Sequence, residues 1–312
     1  MTDKAYQSIL VGVDFSPCSA TALRVAADLA RRSKATLHVV HFIHAEIVEQ
    51  HRHEWRDGLK QIVDLAYNDL ANFVERAVGS TTELKIRIDA HLGHSFIEMF
   101  KAIDDHGVDL LVLGAHGRHH PDQQAPGILP SRCVRKAPCE VLLVDSRTSV
   151  PFKQILVAVD YSANSALALM EAVQVAALTG AEIQAVHVSP PPWLFLVNDR
   201  IQGVDLPDQK KVDYRKQQET QMTQFLTGLE LNETVEHRVI ENPAVVPGLI
   251  QCQKDIKADL IVLGTRGQTQ ENLDVLGSFA ERVIRATPCS VLAVKPVVSD
   301  LSEEAKLTKG AA

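Results

Sequence analysis

The five cysteines of this 312-residue chain, Cys18, Cys133, Cys139, Cys252 and Cys289, form no C-x-x-C pair. Their odd number favours free thiols over a disulfide framework. No apolar run exceeds the length of a strand, which excludes a membrane-spanning helix. Met1 to Gln7 lacks the apolar stretch that heads a secretory signal, so the expected location is the cytoplasm. No basic block offsets the net charge of −7, so nucleic acid is not the expected partner. Several catalytic signatures are also missing. There is no G-x-x-x-x-G-K-[ST], no G-x-G-x-x-G after the first strand, no H-E-x-x-H, no Ser/His/Asp signature and no paired-carboxylate constellation. Efficient phosphoryl transfer needs metal ligands and a positioned nucleophile, so at most a slow ATPase is expected.

What is present is a soluble composition, 46% apolar and 23% charged, at a length comfortable for two domains. Ser8 to Val13 reads as a buried strand. Ser16 and Pro17 follow as an N-cap and first helical residue, with an apolar stripe at Ala22, Leu23, Ala26, Leu29 and Ala30. Strands are expected at Ala35–Phe42, Glu83–Ala90, Asp109–Leu113 and Glu140–Val144, and helices at Glu54–Val78 and Ser95–Asp105. This alternation implies an α/β fold with a parallel sheet covered on both faces.

The order then begins again. Asp14 recurs as Asp160 and His41 as His187, an offset of 146; Gly114 recurs as Gly264 and Pro138 as Pro288, an offset of 150. A constant register with one four-residue change marks tandem copies, here taken as 1–147 and 152–297. The join near Asp145 to Phe152 is too short for a flexible linker, so the halves are expected to pack together. Residues 298–312 are polar and expected to be disordered.

The chemistry concentrates after the apolar run Asp259–Leu263. Gly264, Gly267 and Gly277 are followed by Ser278 and a helical pattern through Arg285. Such a loop, ending at a helix N-terminus, lets backbone N–H groups approach a phosphate in the favourable field of the helix dipole. Ser278 is read as the N-cap and as an added hydroxyl donor.

A strand-end Asp, a His-Val strand, G-x-x-G-x9-G-S and a Pro-Cys before the last strand together resemble the universal stress protein family, in its tandem form. The resemblance covers about residues 5 to 297. It implies two tandem, open, five-stranded parallel sheets of the Rossmann-like, adenine-nucleotide-hydrolase kind, packed as an intramolecular pseudo-dimer. Val141 to Val144 would pair with Val291 to Val294. It also implies, for one subclass, ATP with Mg²⁺, and leaves homodimers and an unidentified protein partner open. The second-half site carried by these readings is Asp160, Val188, Leu263, Gly264, Arg266, Gly267, Gly277, Ser278 and Phe279. Asp160 is placed near the ribose or a nucleotide-bound Mg²⁺, with helix capping as its other reading, and Val188 near adenine. The first half keeps Asp14, Gly114, Gly117 and Gly127 but puts Ile128 where Ser is expected, Pro130 beyond it and Phe42 at the adenine position. A weakened or empty first site is expected.

The leading expectation is a regulatory protein of stress physiology that binds nucleotide. A scaffold or binder of a small apolar ligand is the alternative, with Pro190 to Val197 as its candidate surface. A slow ATPase or self-phosphorylating protein is a further one. His116, His119 and His120 are not expected to bind metal, and His44, His51 and His53 read as a solvated cluster. Cys139 and Cys289 read as core residues.

Overall fold

The computed structural model describes residues 6–43, 58–117, 125–193, 207–231, 234–267 and 276–296. The first half runs β1 (Ser8–Gly12), α1 (Pro17–Ser33), β2 (Thr36–Ile43), α2 (Leu59–Val78), β3 (Lys85–Leu92), α3 (Ser95–Asp105), β4 (Leu110–Gly114), α4 (Ile128–Lys136) and β5 (Glu140–Val144). The second repeats it as β6 (Gln154–Ala158), α5 (Ala163–Thr179), β7 (Glu182–Ser189), α6 (Asp208–Gly228), β8 (Glu236–Glu241), α7 (Val245–Ile256), β9 (Leu260–Gly264), α8 (Ser278–Ala286) and β10 (Ser290–Val294).

The ten strands form one sheet in the order β3-β2-β1-β4-β5-β10-β9-β6-β7-β8. Within each half all pairings are parallel. The halves join where β5 and β10 pair antiparallel, Leu142 opposite Leu292. The join covers two edges whose free N–H and C=O groups would otherwise invite aggregation. The central strands are buried on both faces, Ile9, Leu10 and Val11 all at 0% exposure. That is why they read as continuous apolar runs rather than as alternating patterns. No helix among the described residues is long and apolar enough to cross a membrane.

Polar contacts tie the halves together around that seam. Tyr6 Oη donates to the Glu171 carboxylate, and Arg32 Nη1 to the carbonyl of Leu178 at 2.8 Å. The Lys295 N–H donates to Glu140 Oε2 at 2.8 Å, and Arg135 pairs with Glu281. The repeated aspartates before β4 and β9 take a structural role. Asp109 accepts from the N–H groups of Gln7 and Ser8, and Asp259 from those of Lys153 and Gln154, pinning the starts of β1 and β6.

Several boundaries differ from the sequence reading by one or two residues. The third strand, expected over Glu83–Ala90, runs Lys85–Leu92, because a turn closed by Leu84 N–H on the Thr81 carbonyl delays its start. Ser278, expected as N-cap, is the first helical residue of α8. Gly277 holds the cap position and no side chain bonds there. Glu54 to Asp57, the histidines at 44, 51, 53, 119 and 120, Leu194 to Val197 and the 298–312 tail lie outside the described residues.

Candidate functional site

In each half the chain builds three strands outward, then returns to the other side of the first. The order reverses between β1 and β4, and again between β6 and β9. At such a switch point the loops leaving two adjacent strands diverge and open a crevice at their carboxyl ends.

At the second switch point lies a cavity of about 250 Å³. Asp160, Val188, Leu263, Gly264, Arg266, Gly267, Gly277 and Phe279 all line it. Ser278 is not among its lining residues and is exposed. Ala158, Leu249 and Val245 complete its apolar wall.

The polar side is held in detail. Asp160 Oδ1 accepts from the Ser162 N–H at 3.0 Å and from Ser162 Oγ at 2.5 Å. Ser162 in turn caps α5 by accepting from the Ser165 N–H at 3.1 Å. Asp160 therefore does not cap the helix itself; it orients the residue that does. Its other oxygen, Oδ2, sits 3.1 Å from where a β-carbon on Gly267 would lie, so the loop passes close over the carboxylate. Gly264 is required sterically. A β-carbon there would stand 2.9 Å from the Asn164 amide carbon and 3.0 Å from the Asn164 carbonyl. The Asn164 amide, with its oxygen facing the loop, accepts from the N–H groups of Thr265 (3.1 Å) and Arg266 (2.8 Å). Gly277 N–H donates to the Thr265 carbonyl at 2.8 Å, clamping the far end of the loop. His187 also lines the cavity, its Nδ1 2.8 Å from the Val159 carbonyl. Burial holds its pKa below the usual histidine value, against the opposing pull of that carbonyl and of Asp160.

Asn164, Leu249 and Ala158 were not singled out from the sequence. The signal was available for Asn164: the 146 offset sets it against Cys18, so a polar residue replaces a thiol beneath the loop glycine.

The first switch point keeps the frame but lines it with different apolar side chains. Asp14 Oδ1 accepts from the Ser16 N–H at 3.0 Å, and its Oδ2 lies 3.1 Å from a β-carbon position on Gly117. Gly114 packs on Cys18, and Gly127 N–H reaches the Ala115 carbonyl at 2.9 Å. Gly12 takes the place of Ala158, and a β-carbon on it would meet both the Met99 methyl and Leu113 at 2.8 Å. Met99 and Phe42, in the places of Leu249 and Val188, are buried. Ile128 is 83% exposed at the start of α4, and Pro130 removes one N–H from that helix's first turn.

Burial pushes the thiol pKa of Cys133, Cys139 and Cys289 up to about 12. All five cysteines are free, and Cys139 is buried as read from the sequence while Cys289 is half-buried. Of the proline-rich segment, Pro190 to Trp193 is described, with the Trp193 ring edge-on to Tyr214 at 5.3 Å.

The model of the universal stress protein family matches residues 5–145 and 151–295. The universal stress protein Rv2005c of Mycobacterium tuberculosis is 26% identical over 302 residues, covering 92% of this chain and 96% of its own length. A universal stress protein from Archaeoglobus fulgidus has a similar structure, with a TM-score of 0.64 at 20% identity, covering 92% of this chain and 98% of its own. A universal stress protein solved in complex with cAMP matches 46% of this chain and 99% of its own, at 20% identity and a TM-score of 0.33. With two matches of its model in tandem, this chain belongs to the universal stress protein family.

Proposed function

We propose that this chain is a regulatory protein of the stress response that binds ATP with Mg²⁺ in its second domain, residues 152–297, while the first, residues 1–147, holds no nucleotide. The observation that carries the reading is the single cavity wall in which an apolar lining (Ala158, Val188, Leu249) meets a glycine loop and the N-terminus of α8. A base fits the first part. Phosphate fits the second, because the first-turn N–H groups of a helix have no intrahelical acceptors and carry partial positive charge. Asp160 is suited to the ribose hydroxyls or to Mg²⁺, and Arg266 to phosphate charge. Bound Mg²⁺ would offset phosphate charge. Nucleotide occupancy would change the surface around Gly267 and Gly277, so its product is a change of shape or partners rather than a chemical step. Family membership suggests the stress-response role.

Titration of ATP·Mg²⁺ into the wild type and Gly277→Val, alongside the nucleotide content of protein purified without added ligand, tests this. About one nucleotide per chain, lost in the variant, is the expected result for a single helix-terminal site. Two per chain would overturn the assignment of the first domain. No binding at millimolar ATP would overturn the nucleotide reading and favour a scaffold acting through its surface. Asn164→Ala removes the acceptor for the loop N–H groups, and its affinity is expected to fall about tenfold, or 1.4 kcal/mol, the size of one net hydrogen bond. Unchanged affinity would separate the loop's geometry from binding.

A further inference from the structure

The first half carries a second concavity, on the α1/α2 side of the sheet, whereas Val188, Leu249 and Phe279 place the loop cavity on the α7/α8 side. It is a groove of about 670 Å³ bounded by Phe15, Arg24, His41, Phe73 and Arg76, with Asp69 also on its rim.

Its floor is a fixed aromatic assembly. Phe15 takes a left-handed backbone, φ 62°, which turns its ring onto His41 (centroids 4.6 Å) and edge-on to Phe73 (5.3 Å). His41 Nδ1 is anchored 2.7 Å from the Val13 carbonyl. The second half repeats this floor closely. Tyr161 has φ 64° and its ring lies 4.4 Å from His187 and 5.6 Å from Phe225; His187 is anchored in the same way on Val159.

The rim is not repeated. The 146 offset sets Arg24 against Met170. The match of Phe73 with Phe225 sets Arg76 against Gly228 and Asp69 against Gln221. The two guanidiniums are therefore features of the first half alone. Each bonds only a neutral oxygen of its own helix: Arg24 Nη2 donates to Thr21 Oγ1 at 2.7 Å, and Arg76 Nε to the Asn72 carbonyl at 3.2 Å. Among the described residues neither meets a carboxylate within ion-pair distance.

We infer that this groove is a binding site for a small organic anion with a flat apolar body, seated on Phe15 and Phe73 with its carboxylate, phosphate or sulfonate head toward Arg24 and Arg76. Arginine suits that head because its planar fork matches two oxygens at once and its donors here face only neutral partners. An aromatic floor beside convergent polar groups is the usual make-up of a small-molecule site. The first domain would then sense a ligand of its own, distinct in chemistry and in place from the second domain's nucleotide.

The test uses the full chain and two fluorescent probes, the anionic 8-anilinonaphthalene-1-sulfonate and its uncharged relative N-phenyl-1-naphthylamine. A double variant, Arg24→Met with Arg76→Gln, removes both cationic groups from the rim while leaving Asp69 and the floor. The expected result is saturable binding of the anionic probe that weakens with added salt and falls at least about tenfold in the double variant, with circular dichroism unchanged. Val188→Phe, on the other side of the sheet, should leave that binding as it is. Equal binding of the anion to wild type and double variant, equal affinity for the neutral probe, displacement by Val188→Phe, or no binding at all would each overturn the inference. Because the readout does not involve ATP, failure here and failure of the nucleotide site remain separable.

Discussion

Val188→Phe is expected to weaken ATP·Mg²⁺ binding by at least about a hundredfold, roughly 2.7 kcal/mol, while leaving the fold intact. The argument comes from the chain's own first half. There Phe42 occupies the place of Val188 and Met99 that of Leu249, and both are buried. The Met99 methyl lies so near Gly12 that no β-carbon would fit between them. The second half has an isopropyl group, a leucine and an alanine at these three positions, and a cavity of about 250 Å³ opens among them. A phenyl ring at 188 has a void to enter, so the overpacking cost of about 1–3 kcal/mol typical of a filled core should be largely avoided. Gly248 limits the ring's choice: a β-carbon there would already stand 2.9 Å from Val188, so the ring must turn away from Gly248 and into the cavity. Calorimetric titration together with thermal unfolding checks both statements. Wild-type affinity in a stably folded variant would place the base elsewhere.

The two halves also separate what the sequence disclosed from what it did not. The tandem repeat and the parallel halves were legible, because buried strands leave dense apolar runs and each element appears twice; the pairing of Val141–Val144 with Val291–Val294 came from the family resemblance alone. The loop glycines were legible because their spacing is fixed by contacts that tolerate no side chain, as Gly264 against Asn164 illustrates. Ser278 was misplaced for a local reason. A serine before a helical pattern looks like a cap, but the Gly277 N–H bond to Thr265 brings the chain into α8 one residue earlier. Leu249, Ala158 and the groove rim were hidden because apolar and surface residues carry no chemical label. Their meaning lies in the difference between two positions that only superposed halves bring together.

Acidification is expected to destabilise the protein through one histidine that the second half lacks. His38 lies in β2 between Leu10 and Arg87 in register, 4% exposed, with its ring stacked on His106 at 4.1 Å and 14°. Among the described residues its Nδ1 has no hydrogen-bond partner. Burial lowers its pKa from 6.5 to about 4, helped by the neighbouring His106 and Arg87 and opposed by Asp89. The unfolded chain thus takes up the proton near pH 6.5, while the folded chain refuses it until about pH 4. Across that window the unfolded state binds more protons, so stability falls as the pH falls. The contribution of this one group is about 2 kcal/mol between pH 7 and 5, since each pH unit crossed inside the window costs about 1.4 kcal/mol. Above pH 6.5 it contributes little, and below 4 it changes no further. The offset of 146 puts Gln184 at the matching position, and Ile256 stands against His106 at the offset of 150. His38→Gln therefore installs a residue this strand already accommodates once in the molecule, and one that does not titrate. Urea unfolding at pH 7 and pH 5 should show the variant losing about 2 kcal/mol less than the wild type. His187, whose pKa is lowered in the same direction, titrates in both proteins and cancels in the comparison. Parallel stability profiles would mean that His38 accepts its proton in the fold at little cost, and that the stacked pair opens to let it do so.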